Sequence, residues 1–503
     1  MTTTLYRATR VRTMTAPAMG EWVLVDGRHV QRVGVGAPPR ADRTVELPGT
    51  TVLPGFVDAH VHLTSTGLSL AEAEVEAAAS ADELLAIARR RAAGETGTVL
   101  LQGYDESTWL DPAVPRLAHL DAAASAPLII RRTDGHVALA NTVALAAAGV
   151  LDAEGVHRDD EGAPTGLVTG EANRRLIRWL TAERSAHRVE ELQLAAAAEA
   201  AAAGITSVHE MAMPEEAGWD DVEVLLRHRT RLPVDVVTVV ASMDVPRVLD
   251  LGLRAIGGDL PADGSIGART AALAAPYVDG GEGAVAYADD VLAAFFHDGH
   301  DAGLQVGVHA IGDRAIEQVL GTWERVYGAL DSRERRHFRA RRHRIEHAEM
   351  ASPTQVERAA VLGIAMSVQP AFDDRWGGPG RLYEQALGPD RAGAMNAFRT
   401  MLDRGVVVGA GSDAPVTPLD PWGAVAAMSA HHDPGQRLGR ERALRVHTMG
   451  GAMLAHQEDK KGALQPGAHA DLAAYDADPF VVDEVRGLRP ILTVAQGREV
   501  SAR

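Results

Sequence analysis

Leu53-Pro54-Gly55-Phe56-Val57-Asp58-Ala59-His60-Val61-His62 reads as a turn, then a short buried strand with two histidines at its far end. Residues two apart on a strand face the same side. His60 and His62 can therefore aim both imidazoles at one point, and a point shared by two imidazoles suggests a metal ion. A bare His-x-His is also a common loop pattern. The pair gains weight from its position, because it follows an apolar run and later runs also end in His or Asp.

FVDAHVHL is the first of eight strand-like segments. The others are GITSVHEMA, VDVVTVVAS, LRAIGGD, LQVGVHAIGD, HRIEHAEM, GIAMSVQPAF and VVVGAGSDAP. Helical patterns separate several of them. The clearest opens at Ser352-Pro353-Thr354-Gln355, with a cap, Pro at the first helical position and a capping-box partner, and runs to Gly363. Ser80 and Glu83 have capping-box spacing as well. Alternation of this kind predicts an α/β fold, a (β/α)8 TIM barrel over residues 55–461 with an insertion at about 63–190. Counting strands leaves a doubly wound open sheet as the alternative. The two ends, 1–54 and 462–503, are rich in short strands and turns such as Asp26-Gly27. They predict a small composite β-sandwich.

Composition narrows the function. With 68 acidic against 50 basic residues the formal charge is -18, which argues against a nucleic-acid partner. Cysteine is absent, so disulfides, thiolate-held zinc and a thiol nucleophile are excluded. No run is long enough for a membrane span, and MTTTLYRATRVRTM lacks the apolar core of a signal peptide, so a cytoplasmic location is expected. The only lysines are Lys460 and Lys461.

Barrel chemistry sits at the C-terminal strand ends. His60 and His62 end strand one, His309 strand five and His347 strand six, and Asp413 follows strand eight. Together they make a mixed nitrogen and oxygen site suited to zinc or a similar divalent ion.

PGFVDAHVHL, VHAIGDRAI, RIEHAE and GSDAPVTPLDPWGA resemble the amidohydrolase superfamily, in its YtcJ-like and N-substituted-formamide-deformylase-like branch. RTDGHVALAN, GITSVHEM, DGSIGARTAAL and KKGALQPGAHADLAAYDADP extend the resemblance over essentially the whole chain. It implies a barrel with a terminal β-sandwich and metal-dependent hydrolysis of amide-type C–N bonds. His60, His62 and Asp413 would hold one metal, and His309 with His347 a second. Zinc is the expected ion, one or two per chain, with manganese or iron as alternatives.

One position departs from that pattern. Binuclear members usually bridge their metals with a carboxylated lysine at the end of strand four, commonly four residues before a DGS-type loop. Here the loop is Asp263-Gly264-Ser265, and Asp259 stands at the bridging position. No carboxylated lysine is expected. Asp259 either bridges through a locally shifted strand, which Gly257-Gly258 would permit, or binds one metal, or supports ligands from behind.

A divalent ion lowers the pKa of water towards neutrality, so no protein nucleophile is required. Asp413 would shuttle the proton to the leaving nitrogen, and a histidine such as His347 or His136 would help polarise the carbonyl. His136 lies in a branch motif, with a structural turn as its other reading. Tyr104-Asp105-Glu106, His209-Glu210, Arg269, Thr270, Phe372 and Trp376 are further polar or apolar neighbours of strand ends. A small-molecule substrate and a homodimer are expected. Two other functions stay open: a mononuclear deaminase-like hydrolase and a catalytically silent binding protein. Against the first, Ala310-Ile311-Gly312-Asp313 supplies no glutamate after His309.

Overall fold

The computed structural model describes residues 2–502 except 17, 72 and 183. Its central element is an eight-stranded sheet of β1 (Phe56–Val61), β2 (Ile205–Ala212), β3 (Asp235–Val240), β4 (Ala255–Ile256), β5 (Gln305–Ala310), β6 (Arg344–His347), β7 (Ala365–Val368) and β8 (Val408–Ala410). Neighbours pair in sequence order, and every pairing is parallel. The seam between β8 and β1 closes just past the strand ends. There Val61 bridges Ala414, the Asp413 N–H donates to His60 O at 2.8 Å, and His62 N–H donates to Ala414 O at 3.0 Å. Asp58 sews the same seam by accepting from the N–H groups of Ser412 (2.9 Å) and His60 (3.2 Å). Gly411 permits the approach, because a Cβ there would stand 2.5 Å from His60 N. This is a closed (β/α)8 barrel, not an open doubly wound sheet.

Helices cover the barrel as the capping signals predict. Ser352 caps Pro353–Leu362 in a capping box with Gln355, and Gly363 ends the helix at φ +73°. Inside the barrel, under its mouth, the buried Arg344 guanidinium meets His209 Nδ1 (3.1 Å), Ala59 O (3.0 Å) and Glu346 Oε2 (2.9 Å). Strands of both chain ends meet in one seven-stranded sheet, in which Arg43–Pro54 pairs with both Thr3–Arg12 and Leu472–Tyr475. Lys461 ties that sheet to the N-terminal end of the barrel, with Nζ 3.0 Å from Asp235 and 3.3 Å from Asp471. It is thus at the end opposite the mouth, and Lys460 is exposed, so neither lysine reaches the site.

The long segment between β1 and β2 carries a six-stranded sheet of its own, including Val99–Tyr104, Leu128–Arg132 and Val137–Ala140. It sits over the barrel mouth. Arg132 holds Asp134 at 2.7 Å, Asp134 accepts from Ser265 Oγ of the loop after β4 at 2.7 Å, and Asp105 accepts from Trp376 Nε1 at 3.0 Å. No helix among the described residues is long and apolar enough to cross a membrane.

Candidate metal centre

All six residues that the sequence offers as ligands converge at the mouth. Asp413 Oδ1 lies 3.4 Å from His60 Nε2 and 3.1 Å from His62 Nε2. Asp259 sits in the middle: Oδ1 is 3.2 Å from His309 Nδ1, 3.1 Å from His347 Nε2 and 3.6 Å from His60 Nε2, while Oδ2 is 3.5 Å from His62 Nε2. A single carboxylate therefore addresses both halves of the histidine set. Its short stem suffices because strand β4 breaks immediately before it. Gly257 and Gly258 take φ +82° and +56°, and Cβ atoms there would stand 2.0 Å from Gly307 O and 2.7 Å from Val239 Cγ1 respectively. Only glycine satisfies both the backbone and the space.

The far nitrogen of each imidazole is held from behind. His60 Nδ1 meets Glu346 Oε2 (3.0 Å), His62 Nδ1 the Met211 carbonyl (2.9 Å), His309 Nε2 the Gly264 carbonyl (3.4 Å) and His347 Nδ1 Gln369 Oε1 (2.8 Å). Those partners accept, so the outer nitrogens carry the protons and the inner nitrogens turn lone pairs towards the two carboxylates. His60 Nε2 and Asp413 Oδ1 are buried with no hydrogen-bond partner. Lone pairs facing lone pairs require a cation. Burial alone would lower the histidines, yet Asp413 and Asp259 draw His62 up to about 10, and Asp259 draws His347 up to about 9. Protons or metal ions must balance this charge, and the donor set of four imidazoles and two carboxylates fits divalent ions such as zinc.

Several contributors were not singled out from the sequence. Glu346 is fully buried, which by itself would raise its pKa, but the Arg344 guanidinium and His60 hold it down at about 2. It is an ionised anchor for His60. Asp263 accepts from the N–H groups of Ala272 (2.9 Å), Ile311 (3.0 Å) and Gly312 (2.8 Å), fixing the chain just past β5. Glu349 faces the cavity, pushed up to about 7 by burial, and accepts from the Tyr383 hydroxyl. The signal for Glu346 and Glu349 was adjacency to His347 in RIEHAEM.

The site opens into a cavity of about 970 Å³. His136 lines it, its ring 5.7 Å from that of His309, and burial lowers its pKa, so the imidazole is neutral. Phe372 and Trp376 form an apolar wall. Arg269 and Thr270 also line it but hold the loop, through Arg269 to Asp279 (2.9 Å) and Thr270 Oγ1 to Ser265 N–H (3.1 Å). Asp105 and Glu106 turn away to bind Arg132, and Glu210 accepts from Leu63 N–H at 2.6 Å.

A sequence profile described as "Amidohydrolase family" matches residues 43–501. The protein YtcJ from Bacillus subtilis is 28% identical, over 87% of this chain and 86% of its own. The N-substituted formamide deformylase of Arthrobacter pascens is 26% identical, over 97% and 96%. Among solved structures, an uncharacterized metal-dependent hydrolase from Pyrococcus horikoshii superposes with a TM-score of 0.74 at 24% identity, covering 95% of this chain and 98% of that one. The chain belongs to the amidohydrolase family, the metal-dependent hydrolases of carbon–nitrogen bonds.

Proposed function

We propose that this protein hydrolyses the amide bond of a small N-substituted amide, with Asp413 as the proton carrier. The observation that carries the reading is the set of four imidazole lone pairs and two carboxylates turned on one point at the floor of the cavity. His60, His62 and Asp413 would hold one ion and His309 with His347 a second, with Asp259 shared between them. Such ions supply acidified water and polarisation of a carbonyl.

The chain's own groups do the rest. The Asp413 carboxylate takes a proton from the attacking water and returns it to the leaving nitrogen as the C–N bond breaks, giving an acid and an amine. Its position is fixed by the seam bond from its N–H to His60 O. His136, neutral and beside His309, would donate to the substrate oxygen. Phe372 and Trp376 give the substituent an apolar wall. The deformylase similarity supports an amide over other C–N substrates.

Asp413→Asn tests the assignment. The variant should retain most of its bound zinc and lose roughly a hundredfold or more in kcat on an N-formyl amine. Wild-type turnover in that variant would remove Asp413 from the reaction.

A further inference from the structure

We propose that the preferred substrates are amides bearing a carboxylate, N-acyl amino acids in their simplest form, and that Arg131 and Gln102 of the insertion receive that carboxylate. The inference rests on amide hydrolysis at the histidine cluster.

Arg131 and Gln102 are register partners on adjacent parallel strands, so their side chains share a face. Both line the cavity. Gln102 is 6% exposed, and its Nε2 is buried without a hydrogen-bond partner. Arg131 Nε is equally buried and unpartnered. The contrast with the other cavity-lining arginines is sharp: Arg132 pairs with Asp134 and Glu106, Arg174 with Glu171, Arg178 with Glu215 and Arg269 with Asp279. Among the described residues, no carboxylate stands within 4.0 Å of the Arg131 guanidinium. Glu216 and Asp134 act on it only from farther away. Arg131 is half-buried, and a guanidinium whose Nε is shut off from water without a partner is costly to keep. Its planar fork matches a carboxylate with two parallel hydrogen bonds, and Gln102 adds a third donor beside it.

The placement suits a substrate that spans from the metal centre to the insertion. Arg131 Nη2 lies 3.2 Å from where a Cβ on Gly135 would stand, and the next residue, His136, faces His309. Arg131 and His62 also both border a small second pocket. An amide carbonyl at the histidines thus leaves a carboxylate-bearing substituent within reach of Arg131.

The experiment compares N-formyl-phenylalanine with N-formyl-phenethylamine, which differ only in the carboxylate, on zinc-loaded wild type, Arg131→Met and Gln102→Leu. In parallel, calorimetry measures binding of hydrocinnamate against hydrocinnamyl alcohol. The wild type should favour the anionic amide, and Arg131→Met should cut the ratio of the two kcat/KM values by about 30-fold, chiefly through KM. Hydrocinnamate binding should weaken by about tenfold or more. Equal losses on both amides, or no wild-type preference, would overturn the proposal and leave Arg131 as a charge balance for Glu216 and Asp134. If the wild type hydrolyses neither amide, the amide reading fails, and the calorimetry still decides the carboxylate site: weakened hydrocinnamate binding supports it and unchanged binding overturns it. Should Arg131→Met not fold, Gln102→Leu and Arg131→Lys give the same comparison.

Discussion

Gly257→Ala should detach Asp259 from the histidines without touching any of the residues that meet there. Gly257 sits at φ +82°, and its added Cβ would stand 2.0 Å from Gly307 O on β5. Ordinary contact begins near 3.4 Å, so β4 and β5 must part by roughly 1.4 Å, or the chain ahead of Asp259 must refold. Asp259 now reaches four imidazoles at 3.1 to 3.6 Å, and a shift of that size would leave it serving at most one half of the set. Gly252→Ala is the control, since Gly252 has φ +71° but nothing within 4 Å of the added atom. It should cost only the left-handed penalty, about 1–2 kcal/mol. Gly257→Ala should cost that plus about 1–3 kcal/mol of overpacking. Urea unfolding reads the stability, and metal per chain after dialysis against a weak chelator reads the site. Wild-type metal retention in Gly257→Ala, with no greater loss of stability than in the control, would show that Gly257 does not position Asp259.

Glu346→Gln removes the charge that orients His60 from behind and leaves Arg344 without its buried partner. Zinc affinity should fall about 10- to 100-fold in a competition titration, and an unchanged affinity would show that Glu346 does not act on the site. Burial lifts the Asp221 carboxyl from 3.8 to about 6. The folded state therefore holds that proton more tightly than the unfolded chain, and stability falls as pH rises from about 4 through 6, by on the order of 3 kcal/mol, then levels off. Asp221→Asn cannot ionise, so its stability relative to wild type should climb over that window and be flat above pH about 7. A gap that ignores pH would contradict the assignment.

The barrel was legible because most of its strands carry an apolar run, with β6 (Arg344–His347) and the two-residue β4 as exceptions, and because the ligands cluster at strand ends, where this architecture puts its chemistry. His60 and His62 followed from two-residue alternation together with their place at the end of an apolar run. The same rule fails at β6. Strict alternation aims Glu346 and His347 at opposite faces, yet the strand ends at His347, which takes φ +70°, and both side chains reach the site. Asp413 likewise adopts φ +56°. Such left-handed backbone at non-glycine residues is imposed by tertiary contacts, so local sequence does not announce it. Asp259 was identifiable as the odd residue at a bridging position, and Gly257-Gly258 as the means of moving it. Where its carboxylate ends up depends on Gly307 and Val239, which come from other strands. Arg131 and Gln102 became visible only once two segments nearly thirty residues apart paired in register.

A crystal structure of the zinc-loaded protein with anomalous data at the zinc edge shows most directly whether Asp259 is shared between two ions. The expected result is two ions roughly 3.5 to 4 Å apart, one held by His60, His62 and Asp413 and the other by His309 and His347, with the Asp259 carboxylate between them. A single ion, with Asp259 turned away from it, would exclude Asp259 as a shared ligand.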